Sequence, residues 1–182
     1  MFAFKPIESG CTRDLGDDQA TLTEAAGGWQ SANLRGIYQL RKAMAPAAAA
    51  DLERKVLDLD LVVRTFHEGA AQADLSVVEG VGGWRVPLTK NHDVGWLARR
   101  LALPIVIVAR SGLGTLNHSL LTIEAIERDQ GRIAALVLSH RPDDDLDLAL
   151  NNVDQLRQRW SGEITLYDGN PSTLDSVIER ST

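Results

Sequence analysis

Lys5 leaves the apolar run Phe2-Ala3-Phe4 and enters a turn made by Pro6, Ile7, Glu8, Ser9 and Gly10. A lysine so placed offers a compact positive charge to anionic oxygens. Taken alone, it also reads as an ordinary surface lysine. Glu79 ends the run Leu75-Ser76-Val77-Val78 and opens Gly80-Val81-Gly82-Gly83-Trp84. A carboxylate at the C-terminal end of a parallel strand lies on the edge where α/β sheets bind ligands. There it can hold a magnesium ion or its waters, and the glycines let the backbone approach a ligand. A glycine-rich turn with a solvated glutamate describes the same residues. A third cluster, Ala109 to His118, carries Gly112 and Gly114 in a turn that feeds a helix start. Such a turn suits a phosphate or carboxylate. Its bare Gly-x-Gly lacks the third glycine of a dinucleotide fingerprint.

Other chemistries find no support in the spacing. His67, His92, His118 and His140 do not fall at zinc-ligand intervals, and Cys11 is the single cysteine. No Gly-x-Ser-x-Gly elbow occurs. None of the four lysines, Lys5, Lys42, Lys55 and Lys90, follows a glycine, so the Gly-Lys-Ser/Thr core of a Walker A loop is absent from these residues. Asp17 and Asp18 read as a helix start placed well against the helix dipole, and Asp143-Asp144-Asp145 as another.

The elements that must position these residues alternate. Strands are predicted at Leu75–Val78, Leu103–Ala109, Ile133–Leu138 and Ile164–Tyr167. The second and third are apolar throughout, which predicts central strands buried on both faces. Helical periodicity covers Leu57–Ala71, Asn117–Gln130 and Asp144–Trp160. A shorter helix is predicted over Asp14–Gly27, with Gly27-Gly28 at its end. Strand and helix alternating this way is the pattern of βαβ units around a mostly parallel, doubly wound sheet. Glu79 and Arg110 are then expected at strand C-termini. No repeat or linker divides residues 1–182, so one domain is expected.

A net charge of −6 offers no basic stripe to nucleic acid, nor any attraction to an anionic membrane. The longest apolar run, Leu101 to Ala109, is too short to span a bilayer and contains Pro104. With no signal-peptide pattern, a cytoplasmic location is expected.

Four segments in order resemble the dethiobiotin synthetase family, P-loop-type enzymes of biotin biosynthesis. Lys5-Pro6-Ile7-Glu8-Ser9-Gly10 is similar to the family's lysine–proline turn, and Asp18 with Leu22 to its aspartate helix. Val77 to Trp84 followed by Val86-Pro87-Leu88 resembles its most distinctive strand and loop. Leu113 to Thr122 resembles its glycine-to-asparagine-histidine helix start. The resemblance implies ATP-dependent closure of a cyclic urea from 7,8-diaminononanoate and CO2, through a carbamate that is phosphorylated and then attacked by the neighbouring amine. It implies Lys5 as catalytic residue, meeting carbamate and transferring phosphate, with Ser9 and Asn117 at the substrate. It implies Mg2+ on Asp18 and Glu79, which should then lie within about 10 Å of each other. Asp18, Glu79, Gly80, Val81, Gly82 and Ser139 would line the nucleotide, and the protein would be a homodimer.

Two departures shape the expectation. Family members begin with a strand, a Walker A loop and a helix before the lysine–proline turn, whereas this chain starts at the turn. The fold is therefore expected to lack its N-terminal strand and phosphate loop. The chain as given is expected to show little activity, weak ATP binding and unpaired sheet edges. Ser139, followed by His140, stands where the family carries an adenine-reading asparagine. The alternative to a synthetase is a non-catalytic truncated paralogue acting as a binding protein. A P-loop amidotransferase or partitioning ATPase fits the Glu79 loop and the Asn117-His118 turn less well.

Overall fold

Each pair of strands in the computed structural model, which describes residues 1–181, runs parallel. The structure divides into two compact units, residues 1–101 and residues 102 onward.

The first unit contains β1 (Phe2–Phe4), β2 (Ile7–Ser9), α1 (Asp17–Ala25), a 3-10 turn (Ala32–Leu34) and β3 (Tyr38–Leu40). It continues with α2 (Pro46–Glu53), α3 (Leu59–Ala70), β4 (Ser76–Val78) and α4 (Val94–Leu101). β1 pairs with β4, with Phe4 opposite Val78. β2 pairs instead with β3, with Ile7 opposite Tyr38. The chain changes partners at Lys5-Pro6. Proline has no N–H to donate to a ladder, while its carbonyl accepts from the amides of Ile37 and Tyr38, both at 3.0 Å. The break in pairing that proline imposes is what puts Lys5 at a strand end.

β1 is anchored by aromatic packing. Phe2 and Phe4 are fully buried with ring centroids 5.5 Å apart, and Phe66 of α3 lies 6.3 Å from Phe2. The buried face of α3 includes Leu59, Val62, Val63 and Phe66, the stripe its periodicity predicts. Its N-terminus is capped by Asp58, whose carboxylate accepts from the Leu61 amide at 2.9 Å. On the edge of β1 away from β4, the buried side chain of Gln30 substitutes for a strand. Its amide accepts from the Ala3 N–H at 3.0 Å and donates to the Ala3 carbonyl at 2.8 Å. Two backbone groups that burial would otherwise leave unpaired are thereby satisfied.

Gly69 faces the Phe2 ring so closely that a β-carbon there would overlap it. Gly69→Ala sets a helix-propensity gain of about 1 kcal/mol against an overpacking cost of about 1–3 kcal/mol. The clash is with a ring locked among other aromatics, so overpacking is expected to win. Urea unfolding should show a lower midpoint for the variant; a higher one would mean that the ring moves freely.

The second unit contains β5 (Ile105–Arg110), α5 (Thr115–Arg128), β6 (Ile133–Ser139), α6 (Leu146–Arg157) and β7 (Ile164–Tyr167). A 3-10 turn (Pro171–Leu174) and α7 (Asp175–Ser181) follow. The sheet order β5-β6-β7, with α5 and α6 as crossovers, makes two consecutive βαβ units. Ala135 and Val137 of β6 pack with Val177, Leu174 and Tyr167 on one face. Ala134, Leu136 and Leu138 alternate to the other face and are also buried, where α5 and α6 pack on the strands and on each other. Helices on both faces of a parallel sheet are the doubly wound arrangement of P-loop-like folds. Asp145 caps α6 by accepting from the Leu148 amide at 3.0 Å, the role expected of that acidic run.

β5 departs from expectation. It reads as buried on both faces, yet Val108 is 69% exposed and Val106 37%, while Ile107 is buried. β5 is the edge strand of its sheet, and alternation turns Val106 and Val108 to the face of Ala135 and Val137, where α7 packs over β6 and leaves the edge strand partly exposed. A continuous apolar run reports affinity for burial and carries no period to say which face is covered.

Candidate active site

Lys5 is 4% exposed, and its ammonium ends among three acceptors. Nζ lies 2.6 Å from Glu79 Oε1, 2.8 Å from the Gly80 carbonyl and 3.0 Å from Asp18 Oδ2. Three segments far apart in sequence thus meet at one nitrogen. Burial alone pulls the Lys5 pKa down, but hydrogen bonds and charge from Glu79 and Asp18 outweigh it and hold the pKa above its ordinary value. Lys5 is therefore an ammonium throughout the neutral range. The two carboxylates are about half exposed, with side-chain accessibilities of 53% for Asp18 and 48% for Glu79. Since both touch one nitrogen, they are close enough for a single hydrated octahedral ion to bridge.

Asp18 is positioned by a residue whose role the sequence did not suggest. The residue preceding α1 is Gly16, which has no side chain with which to cap the helix. Glu8, buried at the centre of β2, supplies the cap from outside. Its carboxylate accepts from the Asp18 amide at 3.1 Å and the Gln19 amide at 3.0 Å. A β-carbon at position 16 would overlap that carboxylate, so glycine is required by space. Fully buried Gln19 donates to the Lys5 carbonyl at 3.0 Å and accepts from Gln39 at 2.8 Å. The first turn of α1 is thereby tied to the backbone of Lys5 itself. Glu8→Ala leaves two amides without their acceptor, at a cost of about 1–3 kcal/mol. A melting temperature lowered by several degrees is expected, with Glu8→Gln recovering part of the loss through its one remaining oxygen.

Glu79 is fixed by the ladder before it and the loop after it. Its amide donates to the Phe4 carbonyl at 2.9 Å, extending the β1–β4 pairing by one step. Gly82 has φ +68°, which favours glycine. Trp84 is buried against Gly95, where a β-carbon would stand 2.6 Å from the indole. Amide-to-carbonyl bonds from Val94 to Val86 and from Gly95 to Trp84, at 3.0 and 2.9 Å, fasten the loop to the start of α4.

A family model described as an AAA domain matches residues 1–165. Over 168 residues the chain is 41% identical to the ATP-dependent dethiobiotin synthetase BioD of Anaeromyxobacter dehalogenans strain 2CP-C, an alignment spanning 92% of this chain and 75% of that protein. The chain belongs to the dethiobiotin synthetase family. Proteins of the same description from Endomicrobium trichonymphae and Cellvibrio japonicus strain Ueda107 are 36% and 35% identical to it. Those alignments cover 75% and 85% of this chain, and 63% and 69% of the relatives.

Of the residues that the dethiobiotin synthetase motifs singled out, Asp18, Glu79 and Gly80 each contact the Lys5 ammonium. Val81 and Gly82 continue the Glu79 loop. Ser9 ends β2 opposite Leu40, half-buried, and makes no contact with the Lys5 cluster among the described interactions. Asn117 and Ser139 belong to the second unit. Asn117 is exposed on the first turn of α5, and Ser139 ends β6, its carbonyl accepting from the Ser111 amide at 3.1 Å. Beside Ser139 lies a polar group absent from the sequence reading. The buried Ser111 hydroxyl is 3.2 Å from His140 Nδ1 and donates to Asp144 Oδ2 at 3.4 Å, while Asn152 donates to the Ser111 carbonyl at 2.8 Å. Ser111 lies 29 to 41 residues from these partners, too far for a spacing rule to link it to them.

Proposed function

We propose that this protein is an ATP-dependent dethiobiotin synthetase, closing the ureido ring from 7,8-diaminononanoate and CO2. The observation that carries the reading is the meeting of Lys5, Asp18 and Glu79 at one nitrogen. CO2 adds to one amine of the substrate to give a carbamate, and ATP phosphorylates a carbamate oxygen. The neighbouring amine then attacks the carbonyl carbon and expels phosphate. Negative charge gathers on carbamate and phosphate oxygens throughout, and an ammonium brought to these oxygens stabilises it. Lys5 is that group in our reading, with Ser9 and Asn117 orienting the diamine so that its second amine is poised to attack. The loop Gly80-Val81-Gly82 lies along the nucleotide, and Ser139 near its base.

Mg2+ fits the residues present, because two half-exposed carboxylates converge with Asp18 Oδ1 and Glu79 Oε2 outside the Lys5 contact. Hard oxygen donors of this kind suit the ion, which when bound neutralises phosphate charge. The same reading makes the protein a cytoplasmic homodimer. No helix among the described residues is long and apolar enough to cross a membrane. The test is genetic. A bacterial strain lacking its own synthetase is expected to grow without biotin when it carries this gene. Folded protein without growth, in cells that dethiobiotin rescues, would overturn the proposal and favour a binding role.

A further inference from the structure

The Lys5 ammonium is held by groups of its own chain. An ammonium has three N–H groups, and Lys5 Nζ has three acceptors within 3.0 Å: Glu79 Oε1, the Gly80 carbonyl and Asp18 Oδ2. Two of these contacts are hydrogen bonds and the third, to Asp18, is an ion pair, so the ammonium is turned to acceptors of its own chain and away from any carbamate or phosphate. The carboxylates are committed in turn, each meeting Lys5 through one oxygen while the rest of the group faces solvent. A divalent cation drawn to that pair would stand at contact distance from the ammonium, where like charges repel strongly. The lysine stem is flexible enough for the ammonium to swing away without movement of the backbone, which Gln19 holds at the Lys5 carbonyl.

We propose that the Lys5 ammonium is the resident counter-ion of the Asp18–Glu79 pair and is released when a divalent cation takes that pair, so that cation uptake frees Lys5 for anionic substrate oxygens. The inference rests on the assignment of Asp18 and Glu79 as the metal carboxylates. It adds an order to that reading: Lys5 and the metal occupy the pair in alternation, and the metal-free protein is held inactive by an internal ion cluster. Lys5 offsets one of the two negative charges of Asp18 and Glu79 between turnovers, and it turns to substrate only once the cation is in place.

The test uses Mn2+ alone, without nucleotide, followed by electron paramagnetic resonance. Lys5→Met is expected to bind Mn2+ about 10-fold more tightly than the wild type, because no ammonium has to be displaced. Asp18→Asn is expected to bind it more weakly. In the wild type, acylation of Lys5 by an N-hydroxysuccinimide ester, read by peptide mass spectrometry, is expected to be slow without metal and several-fold faster at saturating Mg2+. That labelling needs no variant and stands even if Lys5→Met fails to fold. Unchanged or slower labelling at saturating metal would overturn the inference. Equal Mn2+ affinity in the wild type and Lys5→Met, with binding lost in Asp18→Asn, would overturn it alone. Mn2+ binding unaffected by either Asp18→Asn or Glu79→Gln would overturn the metal assignment and this inference together.

Discussion

Lys5→Met is expected to lower dethiobiotin formation by about 10²–10³-fold, the usual cost of removing one charge-stabilising donor from a reaction centre. Methionine keeps the length and apolar stem of lysine, so the buried part of the side chain remains packed. What is lost is the ammonium and its contacts with Glu79, Gly80 and Asp18. Both carboxylates are half exposed and can take up water, and the Lys5 backbone stays bonded to Gln19 and Arg35. The fold should therefore survive, and circular dichroism of the variant should match the wild type. The loss should fall mainly on kcat, since charge on the carbamate and phosphate oxygens is greatest in the transition state. Assays should use the protein as its own gene encodes it. A variant retaining more than half the activity would remove Lys5 from the chemistry.

Glu79→Gln is the second large effect, with turnover expected to fall about 10²-fold and the Mg2+ concentration needed for half-maximal rate to rise. Glutamine has the shape of glutamate, its amide oxygen can still accept from Lys5, and its backbone N–H still donates to the Phe4 carbonyl. The variant thus changes charge with little change of structure. Raising Mg2+ should recover part of the rate, a response with no counterpart in Lys5→Met. If Glu79→Gln lost activity with no change in its Mg2+ requirement, Glu79 would be positioning Lys5 without holding metal.

Much of this arrangement is legible in the sequence, for identifiable reasons. The run Ile164–Tyr167 becomes β7 without adjustment, and the acidic start and paired-glycine stop of α1 fall where expected. These signals are local: a β-branched run, charges at a dipole, residues with φ +88° and +70° at Gly27 and Gly28. Lys5, Asp18 and Glu79 were recognisable because each lies within a contiguous motif.

Glu8, Gln19 and Gln30 were not recognisable in their roles, because each binds the backbone of a residue remote in sequence. A buried glutamate that caps another element has the same sequence signature as a solvated one. The pairing of β2 with β3 was equally hidden. Strands of three residues carry no measurable period, and parallel pairing is decided by contacts across a crossover. The exposure of Val108 shows the opposite limit, where a strong local signal for burial meets an edge strand with one face only partly covered.

The most direct measurement is product stoichiometry. Purified protein, expressed from its own gene, is supplied with 7,8-diaminononanoate, bicarbonate, ATP and Mg2+, and dethiobiotin and ADP are quantified together by mass spectrometry. Both are expected to appear in equal amounts, each dependent on the diamine, with Lys5→Met suppressing both in parallel. Folded protein that forms ADP without dethiobiotin, or forms neither under these conditions, would contradict the proposed activity.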